Sequence, residues 1–127
     1  MKSFFSIALI GLLSLFVVSP AFAGPDSKVE RAALSQLMQA ISDNDYEAFL
    51  SNGTPEFKKN VTKQAFDSVT GQLGQLIRAG YTTEYLSKLY QRGTIVHLWK
   101  ISYVNSKENS LAKLIMIDDK VAGFWLL

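Results

Sequence analysis

The chain has 127 residues, among them 13 basic and 11 acidic side chains, one histidine and no cysteine. No cysteine means no disulfide, no thiolate zinc site, no iron–sulfur cluster and no cysteine nucleophile. The lone His97 excludes a multi-histidine metal site within one chain. The net charge of +2 falls to +1 once Lys2 leaves with the leader described next. Nucleic-acid binders carry a clustered basic face. Here Lys58, Lys59 and Lys63 form the only local basic group, and Glu56 and Asp67 lie beside them, so the group reads as a solvated helix face. No nucleic-acid partner is expected.

Residues 1–23 read as a signal peptide. Lys2 supplies the positive start, residues 4–18 form a largely apolar run, and Ala21-Phe22-Ala23 ends it with small residues in the A-x-A pattern. The run of 15 is short for a membrane anchor, which needs about 20 apolar residues. The expectation is export, to a periplasm or outside the cell, with no membrane association after cleavage. The mature protein would be 24–127, a single domain of 104 residues.

The first half of that domain has helical period. Ser27-Lys28-Val29-Glu30 fits a capping box that opens a helix over 27–41, with Val29, Ala33, Leu34, Leu37, Met38 and Ile41 as its apolar stripe. Asp43, Asn44 and Asp45 break it. A short helix follows over 46–50, then another begun by Thr54 as cap and Pro55 at the first helical position. Thr62 caps a long helix over 63–79 whose buried stripe is Phe66, Val69, Leu73, Leu76 and Ile77, and Gly80 ends it. Gly71 and Gly74 inside this helix have two readings: close approach to a sheet, which is favoured, or a kink that opens space for a ligand.

The second half has strand period. Residues 82–91, 94–105, 110–117 and 120–126 are rich in β-branched and aromatic residues and are joined by short turns, which predicts an antiparallel meander. Helices followed by strands give the fold class: α+β, with N-terminal helices packed on a curved four-stranded antiparallel sheet. Ile95, His97, Trp99, Ile101 and Tyr103 share one face; Val96, Leu98, Lys100, Ser102 and Val104 share the other. In the last strand Val121 and Trp125 are set opposite Phe124 and Leu126. Both faces are substantially apolar, and helices can cover only one. A homodimer through the sheet is the expectation for the other.

Two stretches resemble NTF2-like proteins of the cystatin-like superfamily, in their small secreted form of uncharacterised function. One is 40–50 followed by Thr54-Pro55-Glu56-Phe57, where a helix ends in an Asn-Asp turn before a short helix. The other is the closing hairpin Asp118-Asp119-Lys120-Val121-Ala122-Gly123-Phe124-Trp125. The resemblance implies a sheet wrapped around a long helix as a cone, frequent pairing through the sheet, and in some members a small molecule held in the cone. It implies no single activity. Such domains often open the sheet with an extra strand or hairpin; four strands imply a reduced version.

The candidate ligand- or partner-binding residues are Tyr85, His97, Trp99, Tyr103 and Trp125. His97 beside aromatics could move a proton near neutral pH; a histidine on a partly covered sheet face or a dimer seam, satisfied by one hydrogen bond, is the blander reading and the favoured one. Ketosteroid-isomerase-like members of the superfamily use a carboxylate base, and only Asp67 and Glu84 lie inside elements where they could face inward. Neither matches a catalytic motif. No metal ligands, phosphate loop or cofactor motif is found, so no catalytic residue and no cofactor is assigned. The reading is an exported, non-enzymatic binding or interaction module that dimerises through its sheet. The alternative is a small-molecule-binding protein or small enzyme that uses the cavity between the long helix and the sheet, with a small apolar ligand or a protein as partner.

Overall fold

A computed structural model describes residues 28–127; the signal-peptide expectation and the Ser27 cap lie outside the described residues. Four helices precede four strands: α1 (Lys28–Ser42), α2 (Tyr46–Leu50), α3 (Pro55–Asn60), α4 (Lys63–Ala79), β1 (Tyr81–Gln91), β2 (Thr94–Tyr103), β3 (Asn109–Ile117) and β4 (Lys120–Leu126). The strands form one antiparallel sheet in the order β1-β2-β3-β4, so every neighbour in sequence is a neighbour in space. Helices on one face of a curved antiparallel sheet make the α+β architecture that the order of elements predicts.

The caps act where the residue types require. Thr54 Oγ1 accepts from the Phe57 amide at 3.1 Å and Thr62 Oγ1 from the Ala65 amide at 3.1 Å, each satisfying an amide that the helix leaves open. Gly80 ends α4 at φ 126°, a conformation that side chains resist. The β1–β2 turn places Arg92 and Gly93 at positive φ, and the β3–β4 turn does so with Asp118 and Asp119. Two successive positive φ values match the twist of a tight hairpin.

The core lies between the helices and one sheet face. Leu34, Leu37, Met38 and Ile41 of α1 meet Phe66 and Ile77 of α4 and Trp99, Ile101 and Leu114 of the sheet. Phe49 from α2 gathers Phe57, Phe66 and Phe124 around it at centroid distances of 5.8, 5.1 and 6.1 Å. The loop after α2 then joins the sheet: the Thr54 amide donates to the Val121 carbonyl and the Val121 amide to the Asn52 carbonyl, both at 2.8 Å. This covers part of the free edge of β4. Among the described residues the edge of β1 has no such cover, and almost all of that strand is exposed.

Three expectations change. Val29 is exposed, because it lies on the side of the first turn of α1 that faces away from the sheet; Ala40 is buried with the stripe instead. Gly71 approaches nothing: a Cβ built there meets no atom within 4 Å, and at Gly74 the nearest atom is the Arg78 guanidinium at 3.2 Å rather than the sheet. Val121 and Trp125 do not share a face. The register runs from Ile115 opposite Gly123 to Met116 opposite Val121, so Ala122 is an extra residue. A one-residue bulge reverses the faces beyond it, which turns Val121 into the core and leaves Trp125 on the open side.

Candidate functional site

The register sets which candidate side chains can meet. Tyr85 pairs with Trp99, and Tyr81 with Tyr103, on the face that the helices cover. Trp99 is fully buried, and the Tyr103 hydroxyl donates to Ser110 Oγ at 2.8 Å in a buried pair. His97 lies one pleat from Trp99, at the end of the covered zone. Tyr85, His97 and Trp99 form a cluster of tilted and edge-on rings with all three centroids 5.4 to 6.0 Å apart. Tyr85 Oη and His97 Nδ1 share a hydrogen bond at 3.1 Å. On the other side of the ring, Nε2 lies 3.8 Å from Oε2 of Glu30, an electrostatic contact rather than a hydrogen bond.

Glu30 is the partner that sequence reasoning missed. The capping-box pattern assigned it to the start of α1, whereas packing carries that first turn over the sheet. A phenol, an imidazole and a carboxylate in line can pass a proton in principle. Here the His97 and Glu30 side chains are only 14% and 17% exposed, and none of the three cavities described next is lined by them. The cluster, with Glu30, therefore ties α1 to β1 and β2. The other two acids considered point away: Asp67 is exposed and paired with Lys63 at 2.7 Å, and Glu84 is exposed and paired with Lys100 at 3.2 Å.

A cavity of about 290 Å³ opens between α4 and the end of β4. Phe49, Val61, Phe66, Val69, Phe124 and Leu126 contribute to its wall, and Asn60 is the one uncharged polar side chain there. No ionisable side chain lines it, so it can accept an apolar guest and has no side chain to move a proton. A shallow surface pocket beside α4 is lined by Asn44, Lys63, Asp67, Thr70, Gly71 and Arg78.

The open face carries Trp125, the candidate that stands apart from the other four. Its indole lies over Gly123: a Cβ at that position would be 2.6 Å from the ring. Lys113, its cross-strand neighbour, holds its ammonium 5.5 Å from the ring centroid. Two rows cross this face, Leu89–Val96–Ile115–Gly123 and Ser87–Leu98–Lys113–Trp125. They border a groove of about 490 Å³ lined by Gln91, Arg92, Thr94, Val96, Lys113, Ile115 and Trp125. No described helix covers it.

No protein-family model matches the chain. No curated protein matches it either. Among solved structures the chain is similar to AclR from Streptomyces galilaeus, described as a candidate hydroxylase. The two are 13% identical with a TM-score of 0.43, over 80% of this chain and 90% of that one.

Proposed function

We propose that this protein is an exported, non-enzymatic binding module of the NTF2-like kind that works through the face of its sheet that its own helices leave open. The observation that carries the reading is the sidedness of the sheet. Trp99, Ile101, Tyr103 and Leu114 are buried under α1 and α4, whereas the opposite face presents Leu98, Ile115 and a 46%-exposed Trp125 to solvent. An apolar strip with a half-exposed tryptophan is the usual mark of a contact surface. Export rests on the leader-like residues 1–23, and N-terminal sequencing of the secreted protein should begin at Gly24.

Self-pairing is the partner expected from the sequence. Sedimentation at micromolar concentration, with wild type beside Leu98→Asp, tests both the surface and the partner. A wild-type dimer that becomes a monomer in Leu98→Asp assigns the face to a second copy. A monomer whose Trp125 emission is quenched by iodide leaves the face to a different partner. A dimer that persists in Leu98→Asp with Trp125 still open to iodide sinks the reading, because another surface would then be in use.

The cavity between α4 and β4 supports a second reading, a small apolar ligand. Its aromatic lining and its volume near the lower end of ligand sites favour it. A thermal-shift screen of fatty acids and similar apolar compounds tests it; bound at 100 times the dissociation constant, a ligand stabilises by about 2.7 kcal/mol.

A further inference from the structure

The groove on the open sheet face combines three kinds of group that seldom meet by packing alone. Trp125 is half-exposed, with the Lys113 ammonium 5.5 Å from its ring centroid, and Gly123 beneath the ring fixes where that ring can lie, since any larger residue would displace it. Arg92 and Lys113 bring two positive charges to the same groove. Among the described residues neither forms an ion pair with a carboxylate, unlike Lys63 with Asp67 or Lys100 with Glu84. Gln91 and Thr94 add neutral donors and acceptors at the rim. The acids of the neighbouring turn, Asp118 and Asp119, do not line the groove.

We propose that this groove binds an acidic saccharide, a pyranose ring bearing one carboxylate, with the ring face against Trp125 and the carboxylate between Arg92 and Lys113. The proposal rests on the reading of the open face as the working surface and names its occupant. A flat ring with C–H bonds on one side suits an exposed indole, and a carboxylate suits the fork of an arginine. Gln91 lines the same groove, and Thr94, whose hydroxyl donates to the Gln91 carbonyl at 2.7 Å, offers an acceptor for a ring hydroxyl. Charge favours a singly charged sugar unit over a nucleic-acid strand. Such a strand needs a run of cations along its phosphates, whereas only two, Arg92 and Lys113, line this groove.

The test is a titration of the protein with trigalacturonate, galactotriose and inorganic phosphate, read by tryptophan emission and by calorimetry. The chain has two tryptophans and Trp99 is fully buried, so a ligand-induced change reports Trp125. The expected result is saturable binding of trigalacturonate that weakens several-fold between 20 and 300 mM salt. Galactotriose should bind at least tenfold more weakly. Arg92→Gln/Lys113→Gln and Trp125→Ala should each lose at least tenfold in calorimetric affinity while melting cooperatively. Equal binding of both sugars, competition by phosphate alone, or no loss in the Arg92/Lys113 variant overturns the proposal. Sedimentation of the same samples separates the two claims. A dimer that Leu98→Asp dissociates, with no sugar bound, keeps the face and removes the saccharide; a monomer that binds none of the three removes this occupant and leaves the face without a partner.

Discussion

At the scale of single residues, the two tryptophans separate the two faces of the sheet. Trp99 is fully enclosed and Trp125 is half-open on the other side. Trp99→Ala should therefore cost about 3–5 kcal/mol, because it removes a buried ring and leaves a cavity. Trp125→Ala should cost about 1 kcal/mol, because half of its surface is already in water. Urea unfolding of both variants checks the pair, and equal losses would refute the assignment of faces. Tyr81 is the residue with a defined pH effect. Burial raises its pKa above the ordinary 10.0 by disfavouring the charged phenolate. The folded state thus keeps this proton to higher pH than the unfolded chain. The stability it contributes is complete below about pH 10 and declines as pH rises through the folded value. Denaturant melts at pH 9, 10 and 11 should show a steeper decline in wild type than in Tyr81→Phe.

At the scale of elements, α4 contains its own test. Gly71 sits mid-helix with open space around the position of a Cβ, so nothing among the described residues requires glycine there. Gly71→Ala should stabilise the protein by about 0.5–1 kcal/mol, the helical preference of alanine over glycine, and a thermal melt measures it. A loss of stability would mean that the helix needs the absent side chain for close approach after all. Gly74 differs, because a Cβ there presses on Arg78, whose Nη1 donates to the Ser42 carbonyl at 2.8 Å and links the ends of α4 and α1. In the sheet, the bulges at Leu86 and Ala122 do the corresponding work. Each adds a residue to an edge strand. Along β1, Glu84 and Lys88 flank the bulge, and charges and bulges on a free edge discourage pairing with another strand.

At the scale of the whole molecule, protection is distributed unevenly. β2 and β3 have partners on both sides, β4 is partly closed by Thr54 and Asn52, and β1 has an open edge. Amide exchange should be slowest in β2 and β3. The Thr54 and Val121 amides should be slow for their position, and the outward amides of β1 fast. Uniform protection across the sheet would mean that β1 is paired with something in solution. The helices cover one face of the sheet and stop, and Tyr90, 74% exposed near the β1–β2 turn, lies beyond their reach. Nothing in the helical part of the described chain is left over to cover the second face.

Local pattern was enough to set the elements, the turns at Arg92-Gly93 and Asp118-Asp119, the Thr54 and Thr62 caps and the common strand face of His97, Trp99, Ile101 and Tyr103, though not that the helices cover that face. Each depends on residue type and on a period of two or about four along the chain. The partner of His97, the face of Trp125 and the freedom of Gly71 were decided only by tertiary structure. Glu30 reaches His97 because α1 crosses the sheet at one particular place, a long-range fact with no local signal. Trp125 faces outward because a single extra residue at Ala122 shifts the alternation on which every assignment of strand faces depends. A bulge is energetically settled by the pairing of two strands, so alternation within either strand alone does not reveal it.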